Sequence, residues 1–146
     1  MTRLLDKGYE AAKPKKRLVD IFSYDILLFP VYNILHWTLA IVYHWRHIIE
    51  HYDSQGGFHP RCVNVLHDFI MGEHLATKGT PAPDYYRMKK VNIPQQVGNF
   101  DCGVFACQFA DCQPRCPPHL LSAGYGVFRK RMVWELVQDT LLNEGN

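Results

Sequence analysis

A chain of 146 residues, 47% of them apolar and 21% charged, is long enough for one compact domain and excludes wholesale disorder or low-complexity architecture. Sixteen Lys and Arg against fourteen Asp and Glu leave a formal charge of +2, too small for a chain built mainly to coat nucleic acid. The N-terminus Met1-Thr2-Arg3-Leu4-Leu5-Asp6 has no apolar signal region, so secretion is not expected.

Residues 1–18 are mixed and polar, with a basic cluster at Lys13-Pro14-Lys15-Lys16-Arg17. From Ile26 to Trp45 there is no charged side chain, a run long enough to cross a bilayer. Pro30, Asn33, His36, Thr38 and His44 interrupt it, and its β-branched and aromatic content predicts two buried strands instead. The first is Asp25–Tyr32, ending near Pro30. The second, Trp37–Tyr43, puts Trp37, Leu39, Ile41 and Tyr43 on one face and Thr38, Ala40 and Val42 on the other, as a central strand does. His47–Asp53 is strand-like and Ser54-Gln55-Gly56-Gly57 is a turn signal. Pro60–Leu75 has helical spacing, with Val63, Leu66, Ile70 and Leu75 on one face. A loop over 77–84 precedes a strand at Arg87–Ile93, and a Gly-containing loop over 94–101 leads into a helix at Cys102–Cys112. That helix is apolar nearly all round, which predicts burial. A Pro/Gly-rich loop over 113–126 and an amphipathic helix at Val127–Leu142 close the chain. Strands followed by a buried helix and a closing helix predict an α+β fold.

The five cysteines, with no signal region, point to a reducing compartment and free thiols. Cys102, Cys107, Cys112 and Cys116 follow C-x4-C-x4-C-x3-C, without the C-x2-C pair common in zinc knuckles. Steps of five residues on a helix rotate by about 140°, which sends the first three sulfurs in different directions. No metal site is expected. A hairpin between the second and third strands, with its loop centred between His44 and Trp45, places His36 directly opposite Asp53, with Cβ atoms roughly 4.5–5.5 Å apart. An imidazole beside a carboxylate can fix a catalytic tautomer, although such pairs also serve structure alone. Cys102 opens an apolar helix, where unpaired N–H groups and the helix dipole favour a thiolate; the alternative is an inert buried thiol. Asp101 is a candidate N-cap whose charge would oppose that effect. Gln95 and Gln96, in the loop before Cys102, can donate a neutral N–H to a developing oxyanion or be ordinary loop residues.

These residues resemble the SUMO-specific (sentrin-specific) cysteine proteases. The similarity lies in Val19-Asp20-Ile21-Phe22-Ser23-Tyr24-Asp25-Ile26-Leu27-Leu28-Phe29-Pro30, in His36-Trp37, and in Tyr52-Asp53-Ser54-Gln55-Gly56-Gly57. It continues in Ile93-Pro94-Gln95-Gln96 with Asp101-Cys102-Gly103-Val104-Phe105, and in the run from Phe128 to Glu135. Ordered motifs with consistent spacing, from about residue 4 to about residue 142, are far more specific than any one of them. The resemblance implies a papain-like fold, with a mixed or antiparallel sheet, a buried nucleophile helix and a C-terminal helix. It implies Cys102 as nucleophile, His36 as general base and acid, Asp53 as its orienting partner and Gln96 as oxyanion donor, with Gln95 the lesser candidate. Trp37 is implied to line the tunnel for the modifier's Gly-Gly tail, and Arg17, in the basic loop, to touch the modifier.

The family's catalytic domain begins well before this chain, and no position here matches the tryptophan that roofs its tunnel. Residues 1–146 are therefore expected to be roughly the last two-thirds of a single, N-terminally truncated catalytic domain. Pro14 and Lys15 depart from the Arg and Trp more common in relatives. The expected activity is removal or maturation of SUMO-type modifiers, without metal or cofactor, in the nucleus and secondarily the cytoplasm. SUMO and its conjugates are the expected partners, with no membrane and no nucleic acid. Two rivals are a catalytically weak or inactive SUMO-binding remnant and an acyltransferase using the same His–acid–Cys order.

Overall fold

The computed structural model describes residues 19–82, 87–112 and 125–138. Arg17 with the basic cluster, Cys116 and most of the Pro/Gly-rich loop lie outside the described residues. The elements are β1 (Ile26–Asn33), β2 (His36–Tyr43), β3 (Ile48–Tyr52), α1 (Pro60–Lys78), β4 (Arg87–Lys90), α2 (Cys102–Cys112) and α3 (Tyr125–Gln138). The strands form one mixed sheet in the order β1-β2-β3-β4, antiparallel except for the parallel β3–β4 pair, whose crossover contains α1.

The uncharged run from Ile26 to Trp45 forms β1 and β2, as its composition predicts, and no described helix is long and apolar enough to cross a membrane. The expected break at Pro30 does not occur: β1 runs through it, with Pro30 opposite Leu39. Proline is tolerated there because β1 is an edge strand, where a missing N–H need not interrupt a ladder. β1 and β2 pair down to Asn33 and His36, joined by Ile34 and Leu35 at φ 45° and 62°. Positive φ at both central positions is the I′ hairpin signature, which Asn-Gly adopts readily and β-branched residues resist. Such conformations cost on the order of 1–3 kcal/mol each.

The alternation predicted for β2 divides the core. Ala40 and Val42 pack with Val31, Ile49 and the α1 residues Cys62, Val63, Leu66 and Ile70. Leu39, Ile41 and Tyr43 pack with Tyr52, Ile93 and the α2 residues Phe105, Ala106 and Phe109 on the opposite face. Burial of each Phe contributes about 1.5–3 kcal/mol. α1 begins at Pro60, in the first turn where its missing N–H is harmless, and stops at Gly79, whose φ of 72° suits a left-handed C-terminal cap.

One helical expectation is corrected. α2 is buried on one face only. Gly103, Ala106, Cys107 and Ala110 line an apolar cavity of about 320 Å³ with Leu28, Pro30, Trp37 and Leu39. On α3, Val133, Trp134, Leu136 and Val137 are exposed, because no described element covers that stripe.

His51 is fully buried on β3, with Nε2 3.2 Å from Thr38 Oγ1, Nδ1 unpartnered and its ring edge-on to Phe58. Burial lowers its pKa to about 4, against an ordinary value of 6.5. The folded state thus resists a proton that the unfolded chain accepts. The contribution is fully present above pH 6.5 and is lost progressively as pH falls from there to about 4. That gap corresponds to on the order of 3 kcal/mol. Urea unfolding at pH 7 and pH 4 checks it: the acid-induced loss should shrink by that amount in His51→Phe, and an equal loss in both proteins would contradict it.

Candidate active site

His36 begins β2 and Asp53 follows β3, so the β2–β3 register decides how they meet. That register is displaced by two residues from the expected one: Leu39 faces Tyr52 and Tyr43 faces Ile48. The connection contains a 3-10 turn at His44–Arg46 followed by His47 at φ 49°, which moves its centre one residue along. An even displacement leaves every side chain on its expected face. His36 and Asp53 are therefore diagonal neighbours, not directly opposite, and their side chains close the gap: His36 Nε2 lies 2.7 Å from Asp53 Oδ1.

With its Nε2–H donated to the carboxylate, the neutral ring keeps Nδ1 as an acceptor. His36 Nδ1 is buried and has no hydrogen-bond partner, so it is the nitrogen free to take a proton from a thiol. Cys102, the first residue of α2, is buried and makes no hydrogen bond to that nitrogen. The Asp101 carboxylate accepts a hydrogen bond from Arg129 Nη2. The α3 cation thus offsets the charge that would oppose a thiolate. Arg131, two residues on, likewise reaches Glu135 at 2.8 Å and Asp111 at 4.0 Å.

The Asp53 loop is held by its own turn and by the glutamine loop. Asp53 Oδ1 also accepts Gln55 N–H at 2.8 Å, and Asp53 O accepts Gly56 N–H at 3.0 Å. Buried Ser54 donates its hydroxyl to Gln96 Oε1 at 2.6 Å, while Ser54 O accepts Gln96 N–H at 2.8 Å. Gln96 Nε2 donates to Gly98 O at 2.6 Å, which uses one of the two amide N–H groups. Gln95 donates to Ile93 O at 2.8 Å and rests against Gly56, where a Cβ would lie 2.7 Å from its Oε1.

A Cβ at Gly57 would overlap Asp53 Oδ2. Gly57→Ala is expected to push the carboxylate off His36. A displacement of ~1 Å can cost on the order of 10²-fold in rate. Loss of kcat at unchanged KM checks this; a fully active Gly57→Ala chain would contradict it.

Trp37, 41% exposed, packs at a tilt against Tyr32, ring centroids 4.9 Å apart, and lines the apolar cavity beside Gly103, so it is not ordinary core packing. Cys102 is buried, Cys107 exposed and Cys112 between the two, as helical rotation predicts. Among the described residues no group of three or more His, Cys, Asp or Glu could hold a metal. Burial raises the Cys62 thiol to about 11, so iodoacetamide at pH 8 should label Cys107 and spare Cys62 in the folded protein. Comparable labelling of both, read by mass spectrometry, would contradict that difference. Sequence reasoning assigned no role to Ser54, Gly57 or Arg129; only the short Asp-Ser-x-Gly-Gly run carried a hint of the first two.

A mixed sheet with a histidine–carboxylate pair at one end, packed against a helix headed by cysteine, defines a papain-like α+β fold. Residues 2–132 match the Ulp1 protease family, C-terminal catalytic domain. A sentrin-specific protease of Caenorhabditis elegans is 34% identical over 97% of this chain and 21% of its own length. Sentrin-specific protease 2 of Mus musculus is 30% identical over 96% of this chain and 25% of its own. The SUMO protease Ulp1 with its catalytic cysteine oxidised to a sulfinic acid superposes with a TM-score of 0.80 at 23% identity, over 97% of this chain and 66% of that one. The C-terminal Ulp1 protease domain in complex with Smt3, the yeast orthologue of SUMO, gives 0.79 at 22% identity over the same shares. The chain belongs to the Ulp1 protease family, and it spans about a fifth to a quarter of the length of these curated relatives.

Proposed function

We propose that this chain is a thiol-dependent isopeptidase and C-terminal hydrolase for SUMO-type modifiers, acting through Cys102, His36 and Asp53. The observation that carries the reading is the His36 ring itself, bonded through Nε2 to Asp53 and buried without a partner at Nδ1, on the strand that packs against the cysteine helix. The sentrin-specific proteases among its relatives and the Ulp1 domain solved with Smt3 support the choice of modifier.

In this mechanism His36 Nδ1 takes the Cys102 proton, and the thiolate attacks the carbonyl of the modifier's last glycine. The imidazolium, stabilised by Asp53, then protonates the leaving lysine amine. The same ring activates the water that hydrolyses the thioester and regenerates the thiol. Gln96 and the Cys102 backbone N–H hold the oxyanion, and Trp37 lines the channel for the glycine tail. No step requires a metal or cofactor. Arg17 would contact the modifier surface, and nuclear residence belongs to the same reading.

SUMO carrying a C-terminal electrophile, with ubiquitin as control, tests it. A covalent SUMO adduct at Cys102 and none with ubiquitin is expected. SUMO binding without an adduct would favour the inactive modifier-binding reading, which draws on the open cavity beside Trp37 and on the Gln96 amide turned to Gly98.

A further inference from the structure

Asn33 ends β1 and faces His36 across the hairpin turn. Its side-chain amide lies 2.7 Å from His59 Nε2. His59 is the N-cap of α1, where its Nδ1 accepts the Cys62 N–H at 3.2 Å. A neutral imidazole carries one proton. With Nδ1 an acceptor, that proton sits on Nε2; the Asn33 atom facing it, placed as Nδ2, is therefore assigned as the amide oxygen by a flip of the amide, so that Nε2–H donates to it.

The turn beside this bond is strained. Ile34 and Leu35 both have positive φ, and with 87% and 83% of their surfaces exposed they gain little packing that would hold them there. Strained conformations persist when their surroundings over-determine them. Here the β1–β2 ladder holds the turn from one side and the Asn33–His59 bond ties it to the start of α1. His36 follows the strained pair directly, whereas its partner Asp53 sits on a separate loop. Relaxation of the turn would move the imidazole without moving the carboxylate.

We propose that Asn33 and His59 form a positioning clamp that joins the N-terminus of α1 to the His36 hairpin and holds the imidazole in register with Asp53. Neither residue touches the reacting atoms; both act through His36. The proposal rests on the reading of His36 as the catalytic base, and its test must separate the two.

His59→Asn keeps a side-chain oxygen to cap α1 but is too short to reach Asn33. Asn33→Ala removes the other half of the bond. Each is expected to lower kcat on a SUMO C-terminal fluorogenic amide about 10- to 100-fold at unchanged KM, since a misplaced base loses rate and not binding. The double variant should lose no more than either single one. Adding Ile34→Asn and Leu35→Gly to Asn33→Ala supplies a turn that needs no clamp and should restore kcat to within about threefold. Unchanged kcat in both single variants, losses that multiply, or failure of the relaxed turn to restore activity would each overturn the clamp. Proton NMR of the His36 ring N–H bonded to Asp53 gives a readout independent of the substrate. If the wild-type chain leaves SUMO uncleaved, the functional reading fails; the clamp then stands if both single variants broaden that resonance and falls if neither does.

Discussion

His36→Ala is expected to lower kcat on SUMO conjugates by about 10⁴-fold or more, with SUMO affinity nearly unchanged. Loss of one member of a nucleophile–base pair removes most of what the pair contributes, which sets this order of magnitude. The structure makes the expectation specific to one ring. Nε2 is committed to Asp53 and Nδ1 is buried and unpartnered, so a replacement must supply both a hydrogen-bond donor and an acceptor. Cys102→Ala should be equally severe. Asp53 gives a graded comparison. A single oxygen, Oδ1, accepts from both His36 and Gln55 N, so Asp53→Asn can keep both bonds while losing the charge. Asp53→Ala loses all three effects and should be the slower of the two. Single-turnover kinetics with saturating substrate measures this series. Near-wild-type turnover by His36→Ala would remove the base assignment, and equal rates for the two Asp53 variants would show that the oxygen contact is not what orients the ring.

Gln96→Ala should lower kcat by ~10²–10³, the range found when a single oxyanion donor is removed. This residue has a second task, because its Oε1 accepts the hydroxyl of buried Ser54. Its loss leaves that hydroxyl without its partner, at a cost of about 1–3 kcal/mol in stability. The two effects separate with Ser54→Ala, which removes the structural bond but leaves the amide. Ser54→Ala should share the fall in melting temperature and keep most of the rate. Gln95→Ala should affect the seating of Gly56 and not the chemistry directly, since its amide is turned to Ile93 O. A kcat series in which Gln95→Ala is the slow variant and Gln96→Ala is not would shift the donor by one residue.

Periodicity made the core legible. The strict alternation of β2 predicted which residues share a face, and the two clusters on opposite sides of the sheet follow it. The same reading failed where a local rule was broken. Ile34-Leu35 carries none of the Gly, Asn or Asp chemistry that announces a two-residue hairpin, and Pro30 reads as a stop unless the strand is known to lie at an edge. The β2–β3 register was two residues off because nothing in His44-Trp45-Arg46-His47 announces a 3-10 turn closed by a left-handed histidine. Parity survived that error, so the side-chain faces were right even though the pairing was not.

The sequence by itself determined the element types, the two-sided core and the chemical inventory of the site, because these depend on composition, spacing and side-chain period. Its ordered motifs were also sufficient to indicate the family. Tertiary structure alone decided which atoms meet. It brought Asp53 to His36 along a diagonal, left Nδ1 open, placed Gly57 where only a hydrogen leaves room for the carboxylate, and brought Arg129 from α3 to Asp101. It also left the outer face of α2 uncovered over an apolar cavity that hydrophobic pattern alone assigned to the interior. The physical reason is common to all of these. Side-chain period depends on neighbours a few positions away, whereas register, close approach and ion pairing depend on loop geometry and on elements distant in the chain, for which a local pattern carries no information.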